Sequence, residues 1–134
     1  MKKVFLDTNV VIDLLDKRDP FYKAAIAIFT LAYKKKITIY VSPMTYATAS
    51  YLLRKHGQEQ MRLLLRNFRQ LSKVTIADER IVDDALASSF VDYEDALQYY
   101  SALSKNVDII VTRNIKDFQY SKIPVLTPDE YLLQ

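Results

Sequence analysis

Five short apolar runs, Lys3–Leu6 (KVFL), Ile37–Val41 (ITIYV), Val74–Ile76 (VTI), Asp108–Val111 (DIIV) and Pro124–Leu126 (PVL), are spread along the chain with helix-length stretches between them. This alternation limits the possible folds more than any other feature. β-Branched and aromatic residues favour extended backbone, and a strand, a helix and a second strand return to one sheet as a right-handed crossover. The strands are therefore expected to lie parallel, with helices over both faces of the sheet. The implied architecture is α/β, a three-layer α/β/α sandwich around a central parallel sheet. With 134 residues and no linker, repeat or low-complexity tract, residues 1–134 are expected to form a single domain.

Cap and turn residues place the helices. The polar triplet Asp7-Thr8-Asn9 ends the first strand and opens a helix over VVIDLL. Asp19-Pro20 predicts the start of a second helix running to about Lys35, since Asp suits an N-cap and Pro the first helical position. Ser42-Pro43 opens a third to about Lys55, and Gly57, the sole glycine, closes it before a fourth from about Gln58 to Leu71. Ala77-Asp78-Glu79 starts a fifth to about Ser88, and Asp92 a sixth to Ser104. Asn114–Tyr120 reads as a loop or short turn, and Thr127-Pro128-Asp129-Glu130 opens the last helix as a capping box.

Composition removes whole classes of chemistry. One glycine excludes the Gly-rich loops that cradle phosphates, and the absence of cysteine excludes disulfides, thiolate metal sites and cysteine nucleophiles. A single histidine, His56, argues against a Ser-His-Asp triad and reads as a cation at a helix C-terminus. No apolar run approaches the ~20 residues that span a bilayer, and the N-terminus lacks a signal-peptide core, so a cytoplasmic protein with no membrane contact is expected.

Net charge is +3, but from Pro20 to Ile76 ten Lys and Arg face one acid, Glu59, giving +9 there and −6 in the remainder. A basic segment beside gathered acids fits an anionic polymer held next to a carboxylate cluster; a solvated helix face gives the same count. Arg62, Arg66 and Arg69 recur at helical spacing as a stripe on the fourth helix.

The acids converge on one edge. Ligands of open parallel sheets bind beyond the carboxyl ends of the strands. Asp7 follows the first strand; Thr112, Arg113, Asn114 and Asp117 follow the DIIV strand; Asp92 and Asp95 share one face of the first turn of the sixth helix. Each alone is an ordinary cap or turn residue. Together they form a set of oxygen donors without His or Cys, suited to Mg²⁺ or Mn²⁺.

LDTNVVIDLL, DYEDALQYYSAL and DIIVTRNIKDF resemble PIN-domain ribonucleases, most strongly the toxin nucleases of bacterial toxin–antitoxin operons, and the likeness extends through VSPMTYATASYLLRK and IPVLTPDEYL. The resemblance implies the sandwich above, Mg²⁺- or Mn²⁺-dependent cleavage of RNA, an antitoxin partner and a second copy of the chain as a further partner. By it, Asp7 is the first metal ligand, Asp95 the main mid-chain one, and Asn114 and Asp117 the terminal acidic motif, where Asp is commoner at the first position. Asp7, Asp95 and Asp117 are the implied catalytic residues. Asp92 adds to the ligand set, Thr8, Asn9 and Thr112 support the carboxylates, and Arg62, Arg66, Arg69 and Arg113 contact RNA. Where the family usually carries Glu, this chain has Thr48, and no acid lies between Asp19 and Glu59. Thr48 can hold a water but not replace an anion, which leaves open an alternative: a PIN-like module that binds RNA or a partner with weakened or no cleavage. A haloacid-dehalogenase-type phosphatase is disfavoured, since it needs an Asp where Asn9 stands.

Overall fold

In the computed structural model, which describes residues 1–134, the sheet is built from β1 (Lys2–Leu6), β2 (Ile37–Val41), β3 (Ser72–Val74), β4 (Ile109–Val111) and β5 (Val125–Leu126). All neighbours pair in parallel, in the order β3-β2-β1-β4-β5. The helices are α1 (Thr8–Leu15), α2 (Tyr22–Tyr33), α3 (Pro43–Leu53), α4 (Gln58–Gln70), α5 (Glu79–Leu86), α6 (Tyr93–Leu103) and α7 (Pro128–Leu132), with 3-10 turns at Arg54–His56 and Ile115–Phe118. The α/β sandwich read from the alternating runs is the observed one. No helix is long and apolar enough to cross a membrane.

Side chains alternate across the strands, and the alternation builds the two buried layers. Val4 and Leu6 of β1, Ile39 and Val41 of β2, and Ile109 and Val111 of β4 join Val10, Val11, Ile28 and Phe68 on one face. Phe5, Tyr40 and Ile110, between them in sequence, join Tyr99, Ala102 and Phe118 on the other. A smaller cluster of Ile12, Ala49, Leu53 and Met61 ties α1 to α3 and α4. Tyr46 near the start of α3 packs against Phe68 near the end of α4, so these helices form an antiparallel hairpin.

Two boundaries differ from expectation. The second helix begins at Tyr22, not at Asp19. Residues 17–21 reverse the chain after α1, with the Tyr22 N–H donating to the Arg18 carbonyl at 2.7 Å, and the buried stripe Ala25, Ile28, Ala32 starts only beyond that turn. The third strand is Ser72–Val74, two residues earlier than Val74–Ile76. Register is the reason: Ser72 lies opposite Ile39, so β2 ends at Val41 as β3 reaches Val74, and Thr75 closes the pairing by donating its N–H to the Val41 carbonyl while its hydroxyl meets Ser101 on α6.

Candidate active site

β1 lies in the middle of the sheet, so the residue that leaves its carboxyl end meets the ends of β2 and β4 on either side. That residue is Asp7. Its N–H donates to the Val111 carbonyl at 2.9 Å, and its side chain caps α1, accepting from the Thr8 N–H at 2.9 Å. The other carboxylate oxygen accepts from the Thr112 hydroxyl at 2.8 Å and, at a longer 3.4 Å, from the Asn9 amide. Thr112 is fully buried and also accepts from the Asn114 N–H at 3.1 Å, so one hydroxyl links Asp7 to the loop after β4. Thr8 and Asn9 thus stand against Asp7, as does Thr112.

One member of this network is absent from the sequence reading. Gln98 on α6 is 1 % exposed, and its Nε2 donates to Asp7 Oδ1 at 3.2 Å, Thr8 Oγ1 at 3.0 Å and Thr45 Oγ1 at 3.3 Å, while its Oε1 accepts from Ser42. Ser42 therefore starts α3 without capping it by its side chain. No buried polar side-chain atom in the molecule lacks a partner. An amide held from both ends fixes the Asp7 rotamer, since rotating Asp7 would strand donors in a dry core. The signal was available in sequence: Gln98 lies three residues after Asp95, on the same helix face. The α3 hydroxyl in this network is that of Thr45; Thr48, one turn further on, is not among the partners of Asp7.

A pocket of about 190 Å³ is lined by Asp92, Asp95 and Asp117, with Lys116 and Tyr120; Asp7 does not line it, but its charge reaches Asp95. Burial, followed by the charges of Asp7, Asp92, Asp117 and Glu94, pushes the Asp95 carboxyl up to about 7. No cation of the chain forms an ion pair with it; the ion pairs of this protein belong to Asp13 and Asp16. Asp92 has a structural duty as well, capping α6 by accepting from the Asp95 N–H at 3.1 Å.

Two of the named residues are placed elsewhere. Asn114 sits just before the 3-10 turn with φ −117° and ψ 69°, and its side chain lines a neighbouring cleft with Arg113 while Asp117, inside the turn, lines the acidic pocket. Asn114 is thus not among the residues lining the pocket of Asp95. Arg113 is not a free cation for RNA: its Nε and Nη2 donate to the two oxygens of Asp13 at 2.7 and 3.3 Å, and its guanidinium lies 3.9 Å from the centre of the Phe21 ring. Asp13 is 1 % exposed, so the pair is needed to keep that carboxylate in the core. Arg62, Arg66 and Arg69 are exposed on α4, though Arg69 also donates to the Ser72 carbonyl at 2.9 Å. His56 bonds Asp16 at 3.0 Å, beside Lys55.

The donor chemistry fits a hard divalent cation. Asp7, Asp95 and Asp117 offer only oxygen, and Asp95 sits in a negative potential with no counter-charge from the chain. The fit has a limit: no three acidic or histidine side chains already close on one point as a finished metal cluster.

The family model described as a PIN domain matches residues 3–116. The ribonuclease VapC1 of Aquifex aeolicus is 26% identical, over 97% of this chain and 93% of that protein. Among solved structures, VapBC-1 from nontypeable Haemophilus influenzae superposes with a TM-score of 0.71 at 20% identity, covering 95% of this chain and 98% of that one. A toxin–antitoxin complex from Klebsiella pneumoniae gives 0.69 at 25% identity, covering 93% and 97%.

Proposed function

The chain belongs to the PIN-domain family, and from that premise we propose that it is a Mg²⁺- or Mn²⁺-dependent endoribonuclease, the toxin of a toxin–antitoxin pair, acting on RNA in the cytoplasm. The observation that carries the reading is Asp95, a partly buried carboxyl raised to about 7 among other acids and given no cation by its own chain. Asp13 and Asp16 have such partners, and an acid raised by other acids and left without one is a candidate place for an external cation to complete the charge. The partnership with an antitoxin is supported by the VapBC assemblies to which the fold is similar.

Asp7, Asp95 and Asp117 would hold the ion, which when bound supplies an activated water and neutralises charge on the phosphate and the leaving oxygen. The chain's own residues prepare the ground for it. Thr112, Asn9, Thr8 and Gln98 lock Asp7 in one orientation, so no reorganisation is needed when substrate arrives. Asp95 releases its proton as positive charge enters, and Asp117 and Asp92 hold the potential negative around it. The exposed arginines Arg62, Arg66 and Arg69 bind the RNA backbone, giving affinity that falls steeply with salt and carries little sequence information.

A second reading, an RNA- or partner-binding module that cuts poorly or not at all, is favoured by the uncharged Thr48 and by the lack of a finished three-acid cluster. Mn²⁺ titration followed by an RNA cleavage assay separates the two. Metal-dependent cleavage that drops by about 10³-fold or more in Asp7→Asn, with an unchanged fold, supports the nuclease. Saturable Mn²⁺ binding without turnover supports the module, and undiminished cleavage by Asp7→Asn refutes the assignment of Asp7.

A further inference from the structure

Beside the acidic pocket, on the β4–β5 side of the rim, a cleft of about 480 Å³ opens between the start of α2, the loop after β4 and the start of α7. Phe21, Arg113, Asn114, Thr127 and Asp129 give it its chemistry. Phe21 is an aromatic ring left 41% exposed, with the Arg113 guanidinium stacked on it at 3.9 Å. Because Asp13 grips that guanidinium with two hydrogen bonds, the cation that packs over one face of the ring is held in place before any ligand arrives, leaving the exposed flat surface of the pair for a partner. A planar partner can stack there at little cost in side-chain freedom.

The charge balance says what kind of partner. Arg113 is already neutralised by Asp13, and the exposed carboxylate of Asp129 adds a negative charge, because the capping box of α7 engages Thr127 and Glu130 and leaves Asp129 out. Such a cleft repels a phosphate and accepts a neutral aromatic group. Asp129 can take only hydrogen-bond donors, and guanine presents two adjacent N–H groups to a single carboxylate where uracil presents one. Position completes the case. Asn114 lines this cleft, Asp117 three residues later lines the acidic pocket, and the Asn114 N–H rests on the hydroxyl that holds Asp7.

We propose that the cleft receives one unstacked nucleobase of the RNA, guanine in preference to uracil, next to the phosphate taken by the acidic pocket. The proposal rests on the RNA-binding half of the functional reading and names its specificity-determining residues, Phe21 and Asp129. The test is equilibrium binding of fluorescein-labelled single-stranded uridine hexamers, with or without one central G, to the full chain, read by anisotropy and run beside the cleavage assay. Phe21→Ala is expected to weaken binding of both hexamers, that with G by on the order of tenfold, as loss of a stacked base does. Asp129→Asn is expected to reduce a G-over-U ratio on the order of tenfold to near one, because the hexamer with G loses two N–H contacts to the carboxylate and the all-U hexamer only one. Asp129 is exposed, so this variant keeps the test decisive if Phe21→Ala fails to fold. Wild-type binding without G preference, or identical ratios in wild type and Asp129→Asn, overturns the proposal. So does a Lys- and Arg-rich peptide whose binding, unlike that of RNA, is weakened by both substitutions, since the cleft is then a protein site. G-selective binding that both variants disturb, in a chain that cuts no RNA, upholds the cleft and fails the nuclease.

Discussion

Two neighbouring regions of this molecule take carboxylates out of water and treat them in opposite ways. Along α1, Asp13 is gripped by Arg113, and Asp16 at the helix end collects Lys55, His56 and Arg18 within 2.8 to 3.5 Å. At the start of α6, Asp95 pairs with no cation, and the charges that shift it all belong to other acids. Burial raises Asp13, with Arg113 and Arg18 pulling it part of the way back, whereas every neighbouring charge acting on Asp95 pushes it further up. Burial alone therefore does not mark a functional carboxylate. The missing counter-charge does.

Removing the counter-ion of Asp13 should break the contrast most forcefully. Arg113→Ala leaves a buried charge uncompensated and is expected to cost about 3–5 kcal/mol of stability, measured by urea denaturation. With only Arg18 left to oppose burial, Asp13 rises further. A carboxyl raised in the folded state contributes stability that is present at low pH and lost as pH rises, so the deficit should be larger at pH 8 than at pH 5. The double variant Asp13→Leu/Arg113→Met is expected to recover most of the loss.

Asp95→Asn sharpens the contrast from the other side. In chelator, wild-type folded protein holds a proton on Asp95 that the unfolded chain, at the ordinary value of 3.8, has released. Its stability should therefore fall as pH rises from about 4 to about 7, and Asp95→Asn should flatten that slope. Mn²⁺ should stabilise the wild type more at pH 8 than at pH 6 and leave Asp95→Asn unaffected. The same slope in both proteins would mean that Asp95 is no different from a surface acid. The smallest effect belongs to Lys55→Ala, on the exposed side of the Asp16 cluster, at less than about 1 kcal/mol. Asp16 is held low, by Lys55 first, so its small contribution is present at neutral pH and fades as the solution becomes acidic.

What could be read from sequence divides along the same line between local and distant chemistry. The strands, the Asp78, Asp92 and Thr127 caps and the placement of Gly57, which adopts φ +92° before α4, follow from residues close together in the chain. Asp7 at the end of the central strand was legible because its neighbours in sequence form both the strand and the helix it caps. The pairing of Arg113 is not legible in sequence, because its partner Asp13 lies 100 residues away and nothing near either residue announces the pair. Gln98 is hard to read for a related reason: its partners come from two segments far from it in the chain, the turn at Asp7 and Thr8, and the start of α3 with Ser42 and Thr45. Asn114 and Asp117 are close neighbours in sequence, yet a turn too short for periodicity to reveal sends them to different pockets.

The middle position of β1 has a consequence for the order of synthesis. A ribosome delivers Asp7 first, and the Gln98 amide, the Val111 carbonyl and the Thr112 hydroxyl that orient it follow some 90 to 105 residues later. Contacts so remote along the chain form late and slowly. The nascent polypeptide therefore carries Asp7 for that whole stretch without the partners that orient it, and the complete network forms only when the chain beyond residue 112 has emerged.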